Sequence, residues 1–168
     1  MKKLLFLILV ASFNVSSAEQ AITQWVYNTL ERAQANLDKG NIEAAEKIYY
    51  DYANDTWSSR SYDHFVILRT YAYFLLSNDR NEEALRYLKQ ASLKRDMPPY
   101  DIFELHFTLG QVYYVTGDRA NAKKTLLKWV QIGEKNKLDL KPEGYAILAT
   151  IYAQDEEWGN ALKFITLA

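Results

Sequence analysis

The sequence predicts an all-α solenoid of antiparallel helix pairs, about four repeats of 38–39 residues with the last incomplete. Three observations carry this. Small residues recur at Ala45, Ala84, Ala122 and Ala161, with spacings of 39, 38 and 39. Four residues after each lies a large apolar side chain: Tyr49, Leu88, Leu126 and Ile165. Five residues before each comes a turn-compatible pair: Gly40-Asn41, Asp79-Arg80, Gly117-Asp118 and Glu156-Glu157. Chance rarely yields near-equal spacings with similar residue types at the same offsets.

Composition agrees. The 168 residues are 49% hydrophobic and 14% aromatic against 24% charged, enough apolar surface for a packed core. Only 6 Gly and 3 Pro punctuate the chain, too few for a many-turned β-sandwich. A net charge of -1 lacks the concentrated basic face that nucleic acid requires. Cysteine is absent, which excludes disulfides, thiolate metal sites and cysteine nucleophiles.

Residues 1–18, MKKLLFLILVASFNVSSA, have the layout of a secretory signal peptide. Lys2 and Lys3 form the positive start, Leu4 to Phe13 the apolar stretch, and Ser16-Ser17-Ala18 the small-residue cleavage site. The apolar stretch is about half the ~20 residues that span a membrane. Its short form looks bacterial, which makes the expected destination the periplasm. Cleavage before Glu19 leaves 18 basic against 21 acidic residues and no second apolar segment for membrane insertion.

The remaining residues, 19–168, form one repeat domain, because a helix pair cannot bury its apolar face alone. First helices are expected near 20–38, 62–77, 100–116 and 142–154, and second helices near 41–54, 80–95, 119–134 and 157–168. The first is weakest, since Leu30, Ala33 and Leu37 fit the helix period only with a one-residue slip. The pattern Tyr71-Ala72-x-x-Leu75 marks the third helix, Leu109-Gly110-x-x-Tyr113 the fifth and Leu148-Ala149-x-x-Tyr152 the seventh. Asp101 and Asp118 are N-terminal signals, and Pro142 suits a first turn. Gly110 costs its helix about 1 kcal/mol relative to alanine. Close approach of paired helices explains it, with Ala72, Gly110 and Ala149 facing Ala84, Ala122 and Ala161.

These residues resemble the tetratricopeptide repeat, whose pattern is W-x-x-L-G-x-x-Y, then A-x-x-x-F, then Pro. The third repeat carries Leu109, Gly110 and Tyr113 in place, with His106 in the Trp slot and Leu126 in the Phe slot. The period is longer than the family's 34; the extra residues are placed near Met97-Pro98-Pro99 and Lys135 to Lys141. The resemblance spans roughly residues 20–168. It implies a right-handed superhelix whose first helices line a concave groove for a peptide or partner helix.

On the family's layout the groove carries Val66, Arg69, Tyr73 and Leu76, then Glu104, Phe107, Gln111 and Tyr114, then Glu143, Ala146, Thr150 and Ala153. Each set recurs at i, i+3, i+7 and i+10, one helix face. The candidate partner-binding residues are Arg69, Tyr73, Phe107, Gln111, Tyr114 and Thr150. The family's basic carboxylate clamp is not reproduced, since Leu30, Gln34 and Phe107 occupy its positions.

No enzyme is expected, and no cofactor. His64 follows Asp63 at a helix start and reads as solvated or capping, while His106 reads as a packed core residue. Two separate histidines do not make a zinc site. Glu82-Glu83 and Glu156-Glu157 suit helix N-termini, and no phosphate-loop or nucleophile-elbow motif occurs. Asn54-Asp55-Thr56 is an accidental sequon.

The expected function is a periplasmic scaffold binding a partner protein or peptide. Repeats three and four are also similar to periplasmic repeat proteins accompanying TonB energy-transduction systems, which implies a partner among those components. The alternatives are an envelope assembly factor for pili, secretion or polysaccharide export, or an accessory repeat domain of a longer protein. The apolar last helix is expected to continue into a longer array or to mediate self-association through the C-terminal edge.

Overall fold

Four tight turns set the architecture. In the computed structural model, which describes residues 21–55 and 61–168, Gly40, Asp79, Gly117 and Glu156 all adopt the left-handed conformation. They recur at the repeat period. In each turn the next residue's N–H reaches back five positions: Asn41 to Asn36, Arg80 to Leu75, Asp118 to Tyr113 and Glu157 to Tyr152. The left-handed residue's own N–H bonds three back, closing a Schellman-type end. The sequence pairs thus hold two jobs each, a left-handed residue followed by the N-cap of the next helix.

The eight helices among the described residues are α1 (Gln24–Asp38), α2 (Ile42–Asn54), α3 (Ser61–Ser77), α4 (Asn81–Ser92), α5 (Pro99–Val115), α6 (Arg119–Asn136), α7 (Pro142–Gln154) and α8 (Trp158–Ile165). They pack as consecutive pairs, α1 on α2 through α7 on α8, and each pair leans on the next. Pro99 and Pro142 start α5 and α7, where a missing N–H costs nothing. Asp118 caps α6 by accepting from the Asn121 N–H at 3.1 Å. The signal-peptide segment lies outside the described residues.

The small residues sit where the helices cross. Ala45, Ala84, Ala122, Ala33 and Ala72 have no exposed surface, and Gly110 is buried. Ala33, Ala72, Gly110 and Ala149 stand at the repeat spacing, so α1 needs no register slip. Arg32 and Asn36 fill the slots that Leu109 and Tyr113 hold in the third repeat, which hides this register in the sequence. The partner of Gly110 also differs from expectation. A Cβ there would meet Leu126 Cγ at 2.6 Å and Cδ2 at 2.7 Å, so the glycine admits a leucine one turn beyond Ala122.

A second core surrounds Trp129, whose ring centroid lies 5.6 Å from Phe103, 5.2 Å from Phe107 and 5.7 Å from Tyr145. Gly144 lets α7 close over it, since a Cβ would come within 2.6 Å of Trp129 Cη2. The extra residues of this repeat are divided differently from the expected loop. Helix α6 runs on to Asn136, and Lys137 ends it in the left-handed conformation.

The fourth repeat breaks the pattern at one position. Tyr49, Leu88 and Leu126 are buried, but Ile165 is 54% exposed. Phe164 takes the core place instead, against Tyr145 and Tyr152. In the first repeat the corresponding Tyr49 is covered by Tyr71 and Phe74 of α3.

Candidate functional site

The first helices, α1, α3, α5 and α7, lie side by side and are joined by polar bridges. Asp63 accepts from the Thr23 N–H at 3.0 Å and the Thr23 hydroxyl at 2.9 Å, tying α1 to α3. Asp101 accepts from the Tyr62 hydroxyl at 3.0 Å and from the Arg69 guanidinium, tying α3 to α5. The Lys141 ammonium donates to Glu104 at 2.7 Å and lies 4.5 Å over the Phe107 ring, holding the start of α7 to α5. Asp101 sits in the first turn of α5 as expected, but its carboxylate is spent on these cross-helix bonds.

The six expected groove residues divide. Arg69 is half-buried, paired with Asp101 and stacked 5.1 Å from the Phe65 ring centre, so its charge is already answered. Tyr73 keeps 38% of its surface exposed, with its hydroxyl 3.4 Å from that of Thr108. Burial of that hydroxyl raises its pKa, with nearby Arg69 opposing. Gln111 and Tyr114 are half-buried. Thr150 is exposed, its hydroxyl bonded to the Ala146 carbonyl of its own helix at 2.8 Å.

Phe107 requires correction. Only 8% of it is exposed, and it packs on Trp129, so its ring belongs to the core. The stripe rule places a residue on a helix face, but the bulk of Trp129 behind α5 and Lys141 over the ring decide that this one is covered.

Sequence reasoning missed Tyr100. It is 60% exposed and stands one turn before Glu104. Burial and the neighbouring Glu104 raise its pKa, while Arg69 lowers it, so it faces the same charges as Tyr73. Extending the Glu104–Phe107–Gln111 stripe back by one turn reaches it. Asp101 and Lys141 carry no such signal, because their partners are 32 and 37 residues away.

His64 is neither solvated nor a cap. Its Nε2–H donates to the Ala53 carbonyl at 3.1 Å and its Nδ1 accepts from Lys94 at 2.9 Å. His106 is half-buried, bonded through Nδ1–H to the Ile102 carbonyl at 2.8 Å. Burial lowers both pKa values. No three His, Asp or Glu residues among the described ones converge to hold a metal, and no described helix is long and apolar enough to cross a membrane.

Stacked helix pairs with small residues at each crossing define a tetratricopeptide-like solenoid fold. The solved structures similar to it include the crystal structure of MamA, with a TM-score of 0.63 over 84% of this chain and 74% of that one. The two are 18% identical, so the likeness is one of fold. No protein-family model matches the chain, and no curated protein does.

Proposed function

We propose that this protein is an exported scaffold that holds a segment of a partner protein on its α3–α5–α7 face. It does so in the periplasm, alongside a TonB energy-transduction system. The observation that carries the reading is the cross-braced setting of the exposed tyrosines, where each charge nearby has an opposite partner. Tyr73 and Tyr100 flank Arg69 and Glu104, whose charges are met by Asp101 and Lys141. A face held this way loses little entropy on binding, and its rings, Gln111 and Thr150 suit packing and amide hydrogen bonds. The layout of residues 1–18 supports export, and the wording of repeats three and four supports the TonB link.

A photo-crosslinking residue at Tyr100 in intact cells, followed by mass spectrometry, tests the partner. Capture of a TonB-system component is expected. Capture of pilus, secretion or polysaccharide-export components alone would transfer the protein to envelope assembly. The variant Tyr73→Ala with Tyr114→Ala should weaken the crosslink more than it lowers the melting temperature; unaffected capture with a collapse in stability would make both rings core and remove the face assignment. The intact mass of the exported protein should begin at Glu19, and a mass retaining Met1 to Ala18 would overturn export.

A further inference from the structure

The cations of the molecule are not all treated alike. Arg69, Arg80, Lys123 and Lys141 are each paired with a carboxylate. Lys124 and Lys128, exposed on α6, make no ion pair among the described residues; Lys128 reaches the Gln131 amide oxygen, at 3.3 Å. They rim an open depression of about 570 Å³ between α4 and α6. Its floor is the back of α5, with His106, Leu109 and Tyr113, and no carboxylate lines it.

His106, from α5, and Thr125, from α6, both line the hollow. His106 turns Nδ1 to its own helix, at the Ile102 carbonyl, which leaves its Nε2 edge for the hollow. Asp118, which is not part of the lining, keeps its negative charge within range of Tyr113; its carboxylate accepts from the Asn121 backbone and side-chain amides and also feels Lys89. The result is a floor of Leu109, Tyr113 and the His106 ring beneath two exposed lysines.

We propose that this hollow is a second docking surface, which takes an acidic segment of a protein carrying apolar side chains between its carboxylates. The carboxylates meet Lys124 and Lys128, and an apolar side chain settles on Leu109 beside the His106 ring. An open hollow of this kind suits a chain lying across it better than an enclosed small molecule. The surface is independent of the tyrosine face, so one scaffold can hold two partners at once.

The two histidines make the test clean. NMR of the full mature protein follows both imidazoles during titration with a capped peptide of repeating Asp-Leu-Glu, at low salt. His106 signals should move and saturate while those of His64 stay in place. Lys124→Glu with Lys128→Glu, both exposed, should weaken binding about tenfold or more and leave the His64 signals unchanged. Tyr73→Ala should leave the titration as it was, which separates this surface from the proposed function. The proposal is overturned if His106 does not respond, if the charge-reversed variant binds equally, or if the amide peptide Asn-Leu-Gln binds as well. It is also overturned if inorganic phosphate alone reproduces the full shift, which would make the hollow a small-anion site.

Discussion

A Cβ placed on Gly110 would lie 2.6 Å from Leu126 Cγ, about 1 Å inside ordinary carbon–carbon contact. Leu126 is fully buried, so it has no free direction in which to yield. Gly110→Ala therefore sets two terms against each other. Helix propensity favours alanine by about 1 kcal/mol, while forcing a methyl into a closed crossing costs about 1–3 kcal/mol. The expected net loss is about 0–2 kcal/mol, centred near 1, or a fall in Tm of up to about 8 °C for a chain of this size. Gly159→Ala is the matched control. Nothing lies within 4 Å of the Cβ it would add, so propensity acts alone and stability rises by about 0.5–1 kcal/mol. Urea and thermal unfolding by circular dichroism read both. Combining Gly110→Ala with Leu126→Ala should cost less than the sum of the two changes, because the second removes the obstacle. The second repeat shows what refutation looks like: Ala72 stands in the register of Gly110, and Leu88 in that of Leu126. If α5 and α6 can relax to accept alanine as α3 and α4 do, Gly110→Ala will melt at or above wild type, and packing is not why the glycine is there.

Asp79 and Glu156 hold left-handed conformations at φ 60, so Asp79→Gly and Glu156→Gly should each raise unfolding free energy by about 0.5–1 kcal/mol in urea titrations. Both histidines have lowered pKa values in the folded state, from an ordinary 6.5. The unfolded chain then takes up protons first, so stability is complete above that value and falls as pH drops through it toward the folded values. Tm measured against pH should show this decline, and His64→Gln with His106→Gln should flatten it. On α8, Trp158 and Leu162 are each 66% exposed and Ile165 joins them. Light scattering should show concentration-dependent association that Leu162→Glu with Ile165→Lys suppresses; identical monomeric behaviour of both would mean the apolar face is tolerated in water.

Helix ends were the most legible feature. Turn chemistry is local: a left-handed residue followed by an N-cap needs only neighbours within five positions, so Gly40-Asn41 and its three counterparts located each helix pair. The crossing residues were nearly as legible, because a small side chain at the repeat spacing marks a helix approach whatever else surrounds it. The candidate site was legible in part. Tyr73 and Gln111 emerged from the helical stripe, but the same stripe included Phe107, which is core, and stopped short of Tyr100.

The sequence by itself therefore determined the helices, their pairing and the period of the stack, all properties of short-range spacing. Tertiary structure decided which members of a stripe remain open. Trp129, from another helix, covers Phe107, and Phe164 rather than Ile165 packs against Tyr145 and Tyr152. It also decided where charge is spent. Asp101 meets Arg69 across 32 residues and Lys141 meets Glu104 across 37, while Lys124 and Lys128 meet no carboxylate among the described residues. A helical period reports direction around one axis only. Whether a side chain pointing that way finds a ring, a carboxylate or water depends on the height and crossing of the neighbouring helix, which packing alone sets.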